Sequence, residues 1–341
     1  MTALFSSLTY PIIQAPMAGA QGVAMALAVS QAGGLGSLPA ALLSPAALDE
    51  ALSQLDASGL PYNVNFFCHT PPADDPARMA AWHVRLQPHF ERWHTTADAV
   101  AAPPLRQPFG PAMAEVLVRH RPAVVSFHFG LPAPDLLRPV KATGAQVWAS
   151  ATTVAEAHWL AAHGADGIVA QGWEAGGHRG LFLSDDLHTQ LGTLALVRQV
   201  VQAVNLPVVA AGGIADREGV QAVLALGAVA AQVGTAFLCC HEAHTSALHR
   251  QALRQPHVTA VTNVLTGRPA RGIVNGLMRD FGPINADAPA FPLGAGPLAA
   301  LRAAAEREGC TDYTPLWAGQ NASACDDISA ADMVRRLSPY R

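Results

Sequence analysis

Residues 146–180 read QVWASATTVAEAHWLAAHGADGIVAQGWEAGGHRG. An apolar run of strand length, Gln146 to Ala151, gives way to an Ala-rich amphipathic stretch, Thr153 to His163. A second run, Gly167 to Gly172, then ends in glycine. Strand, helix and strand in that order make one right-handed βαβ unit, which requires a parallel sheet buried on both faces. Working outward, the alternation repeats. Strand-length runs lie at Tyr10 to Met17, Leu35 to Ala40, Tyr62 to Phe67, Ala123 to Phe129, Pro207 to Gly213 and Ala230 to Cys239. Most end at or just before Gly, Pro or Ser. Amphipathic stretches such as Leu187 to Val204 and Asp216 to Leu226 lie between them. Eight such units fit a closed barrel better than an open doubly wound sheet, so the expectation is an α/β fold of the TIM type, a (β/α)8 barrel.

Two segments break the rhythm. A long insertion after strand 3, from Cys68 to Pro122, holds Pro71-Pro72, a helical stretch near Pro76 to Trp93, and Pro103-Pro104. Its length and its aromatic residues Trp82, Phe90 and Trp93 suggest a lid that shapes an apolar substrate pocket. The tail carries helical stretches near Ala243 to Leu253, Leu298 to Glu308 and Ala330 to Leu337, with Gly- and Pro-rich loops from Gly267 to Pro292. The expected division is a barrel over 1–240, including the insertion 68–122, and a C-terminal helical extension over 241–341 packed on it.

Composition narrows the class. Of 341 residues, 50% are hydrophobic and 13% charged, which supplies a large core and excludes disorder. The net charge is −4 and no basic run exists, which argues against nucleic acid and anionic membranes as partners. No apolar stretch reaches the ~18 residues of a membrane span, and no signal-peptide pattern opens the chain, so a cytoplasmic location is expected. Among 21 basic residues Lys141 is the one lysine, which removes a P-loop lysine and nearly every Schiff-base mechanism. The 5 cysteines have no metal-ligand spacing, and Cys239 and Cys240, read as strand neighbours, would face opposite ways. His241-Glu242-Ala243-His244 lacks the spacing of a helical zinc pair, so no metal is expected.

Reactive groups of a barrel gather where strands end. Strand 7 closes with Ala211-Gly212-Gly213-Ile214, and strand 8 carries Gln232-Val233-Gly234-Thr235. Glycines there let backbone N–H groups approach a phosphate, to which the Thr235 hydroxyl adds a donor. Strand 6 runs into Gln171-Gly172-Trp173-Glu174-Ala175-Gly176-Gly177-His178. Gln171 offers donors and an acceptor to a planar ring, and His178 is a candidate acid, base or hydrogen-bond donor. His128, at the end of strand 4, is the second candidate.

Six ordered motifs carry a resemblance. They are Pro11 to Met17, Asn63 to Phe67, Ser126 to Gly130, the Gln171 to Gly180 loop, Ala211 to Asp216 and Gln232 to Phe237. Across essentially its full length the chain resembles the FMN-dependent nitronate monooxygenases, formerly called 2-nitropropane dioxygenases. That resemblance implies FMN as cofactor and oxidation of alkyl nitronates by O₂ to a carbonyl compound and nitrite. It also implies that Asn65, Gln171 and Gly176 contact the flavin ring and ribityl chain, while Gly213, Gln232, Val233, Gly234 and Thr235 hold the phosphate region. Ala15, Pro16 and Met17 would line the ring, and His178 matches the family's active-site histidine. A flavin-dependent enoyl-acyl-carrier-protein reductase shares the barrel and the glycine loops, but tends to have Glu where this chain has Gln171. A non-catalytic flavin-binding protein is the other alternative, against which His178 and the open rim argue.

Overall fold

The computed structural model describes residues 3–101 and 104–340, so Pro103 of the Pro103-Pro104 pair lies outside the described residues. The first half of the chain runs α1 (Ala3–Ser7), β1 (Ile12–Gln14), α2 (Val23–Gln31), β2 (Gly36–Pro39), α3 (Pro45–Asp56), β3 (Tyr62–Phe67), α4 (Pro76–Arg92), α5 (Pro111–His120), β4 (Val124–His128), α6 (Pro134–Ala142), β5 (Gln146–Ala151) and α7 (Val154–Ala162). It continues through β6 (Gly167–Gln171), β7 (Gly177–His178), α8 (Thr193–Ala203), β8 (Val208–Ala211), α9 (Arg217–Ala225) and β9 (Ala230–Val233). The tail adds α10 (Ala247–Arg254), β10 (Thr259–Thr262), β11 (Ala270–Ile273), α11 (Gly276–Phe281), α12 (Ala299–Arg307) and α13 (Ala330–Leu337).

An 8-stranded parallel sheet has the order β1-β9-β8-β6-β5-β4-β3-β2. A parallel bridge between Ile13 and Leu35 brings its two ends together, so the expected TIM-type barrel is the fold. Alternation along each strand divides its residues between two environments. Outward residues such as Val125, Phe127, Ile168 and Ala170 form the core between strands and helices. Inward residues Ile13, Val124, Trp148, Val169, Val209 and Ala230 fill the lower barrel, where Phe5 of α1 stacks on Trp148 at 5.2 Å between ring centroids. Two residues further along, the inward positions turn polar: Ser126 after Val124, Ser150 after Trp148, Gln171 after Val169 and Gln232 after Ala230. The barrel is therefore plugged with apolar side chains below and floored with amides and hydroxyls above.

Several elements differ from expectation. The last barrel strand stops at Val233 and not at Cys239, because Gly234 turns the chain into a 3₁₀ segment, Thr235–Cys239. Cys239 and Cys240 thus lie on and just past that turn. The Leu187 to Val204 stretch is two pieces, a 3₁₀ turn Leu187–Thr189 capped by Asp186 and then α8 beginning after Gly192. The end of the insertion, α5, packs between α3 and α6 as an ordinary barrel helix. Gly267 to Pro292 contains β11 and α11 and not only loops.

The aromatic residues of the insertion have a structural role. Trp82, Leu86 and Phe90 of α4 pack with Leu277, Leu301 and Tyr313 of the tail in a second core. Trp93 Nε1 donates to the Tyr313 hydroxyl at 3.1 Å. The tail also supplies a small antiparallel sheet, β10-β11-β7, whose last strand belongs to the loop after β6. No helix among the described residues is long and apolar enough to cross a membrane.

Helix α13 packs against α2 and α9 and buries Ala330, Met333, Val334 and Leu337 in the main core. It thereby closes the outer ring of helices. Met333→Ala is expected to lower unfolding free energy by about 2–5 kcal/mol, measured by urea denaturation. A loss under about 1 kcal/mol would show that the ring is stable without this helix.

Candidate active site

At the C-terminal ends of the barrel strands lies a cavity of about 430 Å³, within the range of small-molecule sites. Ala15, Pro16, Met17, Asn65, Gln171, Gly176, Gly213, Gln232, Gly234 and Thr235 line it, together with His178 and His128. Val233 does not. It alternates with Gln232 on β9 and is buried at 1% exposure among the outward-facing core residues. The order of a sequence motif runs along the chain, whereas a strand sends neighbouring side chains to opposite faces.

His178 sits on a loop gripped from several sides. Its carbonyl oxygen accepts from Gln171 Nε2 at 3.0 Å and from His128 Nε2 at 3.1 Å. Because a carbonyl only accepts, His128 carries its proton on Nε2, and its Nδ1 accepts from the Ser150 hydroxyl at 2.9 Å. Gln171 Oε1 also accepts from Gly180 N at 2.7 Å. One N–H and one lone pair of the Gln171 amide remain for a ligand, fewer than expected. The adjacent Arg179 is fully buried and donates to the carbonyls of Gln171 and Gly172 and to Gln190 Oε1. Burial moves its pKa down to about 9. Gly176 is required by a close approach, since a Cβ there would lie 2.5 Å from Gly319 N.

The His178 imidazole is enclosed by rings. Phe291 lies 5.2 Å away between centroids, Trp317 5.5 Å, Phe129 6.2 Å and Phe67 6.3 Å. His178 Nε2 meets the Thr266 hydroxyl at 2.9 Å, and Nδ1 has no partner among the described residues. Withdrawal from water holds its pKa well below the ordinary histidine value, and the positive charges of Arg106 and Arg268 act in the same direction. His178 is therefore neutral near pH 7, with one ring nitrogen donating and the other accepting. His128 is likewise held at about 4, chiefly by burial.

Another part of the cavity wall is built from backbone. Gly212 and Gly213 have φ of +122° and +71°, open to glycine and strained for other residues. No backbone hydrogen bond among the described residues takes up the N–H groups of Gly212, Gly213, Gly234 or Thr235. Such a group of free amides is an anion cradle. The Thr235 hydroxyl, expected to donate to a ligand, accepts from Gly319 N at 2.9 Å and so keeps its own proton to donate.

Sequence reasoning missed the tail's share. Trp317, Gly319 and Asn321 line the cavity, and Thr266 contacts His178 from the turn before β11. Arg106, from the end of the insertion, also lines it, as do Phe67, Ser126 and Ser150. The serines were legible as inward positions of their strands, whereas nothing local marks the tail residues. His244 lines the cavity, but among the described residues no group of His, Cys, Asp and Glu could hold a metal ion.

A parallel barrel whose cavity opens at the C-terminal ends of its strands, with unpartnered amides on the last two and a buried neutral histidine in the same lining, is the architecture of a barrel enzyme. The family model for nitronate monooxygenase matches residues 1–339. The chain is 44% identical over 340 residues to a nitronate monooxygenase of Pseudomonas aeruginosa, covering 96% of this chain and 95% of the relative. It is 41% identical to one from Paraburkholderia phytofirmans, covering 96% and 91%. Among solved structures, nitroalkane oxidase from Streptomyces ansochromogenes aligns with a TM-score of 0.89 at 37% identity, over 98% of this chain and 96% of that one. FabK from Thermotoga maritima aligns with a TM-score of 0.72 at 26% identity, over 98% and 93%. The chain belongs to the nitronate monooxygenase family.

Burial also holds His69 and His249 at about 4. In the unfolded chain these groups, with His128 and His178, titrate near ~6.5. Between the two values the unfolded state binds more protons, so stability is complete above about pH 6.5 and is lost as pH falls toward about 4. Denaturant titrations between pH 5 and 6 are expected to show more than about one proton taken up on unfolding. A profile flat across that window would mean that the imidazoles are not held neutral.

Proposed function

We propose that the cavity holds FMN and that the enzyme oxidises alkyl nitronates with O₂, yielding a carbonyl compound and nitrite. Family membership makes the chain an oxidoreductase of a flavin-dependent group that acts on nitro compounds. The cofactor and products named here are our reading. The observation that carries it is the pairing, within one cavity, of an unpartnered amide cradle and a neutral buried imidazole.

The residues fit the cofactor. N–H groups of Gly213, Gly234 and Thr235 would take the phosphate, and Ala15 to Met17, Asn65, Gln171, Gly176 and Gln232 would surround the ring and its chain. Bound there, a flavin supplies the redox chemistry, and the protein supplies position and polarity. A nitronate is already an anion, so no carbon-bound proton has to leave. The Thr266 hydroxyl has two acceptors in reach, His178 Nε2 at 2.9 Å and the Arg268 carbonyl at 3.5 Å; when it donates to the nearer, His178 presents Nδ1–H to the nitro oxygens as a hydrogen-bond donor. The other tautomer would present a lone pair, the form a neutral nitroalkane requires. The five thiols are unpaired, which fits a reducing compartment, and we place the protein in the cytoplasm. No membrane or nucleic-acid partner is part of this reading.

Two variants test it. At Gly234 a Cβ would make ordinary contact with Ala15 and Met17, so Gly234→Asp adds mainly a negative charge to the cradle. It is expected to purify folded and nearly free of FMN; full occupancy would move the phosphate elsewhere. His178→Asn keeps a donor but loses the basic nitrogen. It should retain much of the nitronate activity and abolish any activity on neutral nitroalkanes, in assays of both substrate forms with flavin content checked. Equal, large losses on both forms would contradict the assigned role.

A further inference from the structure

The cavity lining contains no aspartate or glutamate. Its ionisable side chains are Arg106, Arg302 and the histidines 128, 178, 244 and 249. Arg302 is engaged, with Nε donating to Glu306 Oε1 at 2.7 Å. Arg268 lies outside the lining, covering the Phe129 ring at 4.1 Å and donating to the Leu181 carbonyl. Arg106 is different. Its guanidinium lies 5.9 Å from the Phe291 ring centroid and makes no ion pair or side-chain hydrogen bond among the described residues. Partial withdrawal from water lowers its pKa, so holding the charge there without a counter-ion is unfavourable.

The backbone that carries Arg106 is held at that residue and again three residues on. The Arg106 carbonyl accepts from His69 Nε2 at 3.2 Å, and the His69 ring packs on Phe291 at 4.9 Å. Three residues on, Phe109 N donates to the Phe67 carbonyl at 2.7 Å, and the Phe109 ring packs on Phe66 and Phe127. Arg106 and His178 thus flank one ring, Phe291, and the Arg106 charge is the strongest of those acting on His178. A cation held in place beside the reactive imidazole, with no acid near it, is pre-organised for an anion.

Building on the function proposed above, we infer that Arg106 is the specificity residue of the site, its guanidinium fork pairing with the two oxygens of the nitronate group. In the function proposed above the amide cradle takes the cofactor phosphate, which leaves Arg106 for the charge of the substrate. A nitronate is planar with two charged oxygens and matches the fork. A neutral nitroalkane presents similar oxygens with far less charge and gains far less from it. The site therefore selects the ionised form at binding and needs no base to make it.

The test uses flavin-loaded wild type, Arg106→Gln and Arg106→Lys. Nitrate, a planar oxyanion, is titrated while the visible flavin spectrum is followed. Its affinity is expected to fall about 10- to 100-fold in Arg106→Gln and less in Arg106→Lys, as loss of a charge-assisted hydrogen bond requires. KM for propyl-2-nitronate should rise by a similar factor with flavin content unchanged and kcat altered less. Nitrate affinity and KM within about twofold of wild type in Arg106→Gln would overturn the assignment. So would nitrate without effect on wild type, or a loss confined to nitronates that carry a separate carboxylate. Arg106-dependent nitrate binding in an enzyme that does not turn over nitronates would instead keep the anion site and reject the proposed function.

Discussion

One carbonyl oxygen, that of His178, holds the reactive loop to the barrel. It takes one hydrogen bond from the end of β6 through Gln171 and one from the end of β4 through His128. With both lone pairs occupied, the loop cannot rotate without breaking a bond inside a cavity where water replaces it poorly. The other consequences follow from that anchor. Gly177 and His178 pair with β11, and Thr266, from the turn before that strand, meets the imidazole. Arg179, the next residue, turns inward and ties the carbonyls at the strand end.

The electrostatic character of the site rests on where the acids are. Glu174, within the loop, and Glu156, which accepts from Phe182 N just past it, are occupied with backbone and hydroxyl donors. Glu156 accepts from Thr152 N, the Thr152 hydroxyl and Phe182 N, each at 2.7 Å. Glu174 accepts from Thr193 N at 2.8 Å and its hydroxyl at 2.7 Å. Both carboxylates serve to fix loops, and neither lines the cavity. What remains exposed to a ligand is cationic or neutral, in surroundings that strengthen each charge. An aromatic enclosure keeps His178 unprotonated, and the same enclosure leaves Arg106 without a partner.

Much of this was legible in the sequence. The βαβ rhythm marks the barrel because parallel strands buried on both faces need apolar runs, and period-two reading places Ser126, Ser150 and Gln171 inward. The glycine pairs mark the cradle because residues without a Cβ let backbone N–H groups approach an anion. Helix α5 could have been found from Gly110 and Pro111 at its start and Arg119 and His120 in its last turn. Gly234 could have ended the last strand on the same logic. Other features leave no local trace. A two-residue strand, Gly177–His178, has no propensity signal, and its pairing with β11 is set by residues more than ninety positions away. Arg106 and Trp317 reach the site only through tertiary packing, and the aromatics of α4 look the same in sequence whether they roof a pocket or, as here, fill a second core.

We propose a division of labour within one cavity, backbone amides for a phosphate and His178 with Arg106 for a substrate anion. A crystal structure of the protein with its bound chromophore tests this most directly. The account predicts phosphate oxygens within hydrogen-bond distance of the N–H groups of Gly213, Gly234 and Thr235, and the chromophore ring lying between Met17 and His178. A chromophore without a phosphate, or one whose phosphate sits at Arg106, would contradict it.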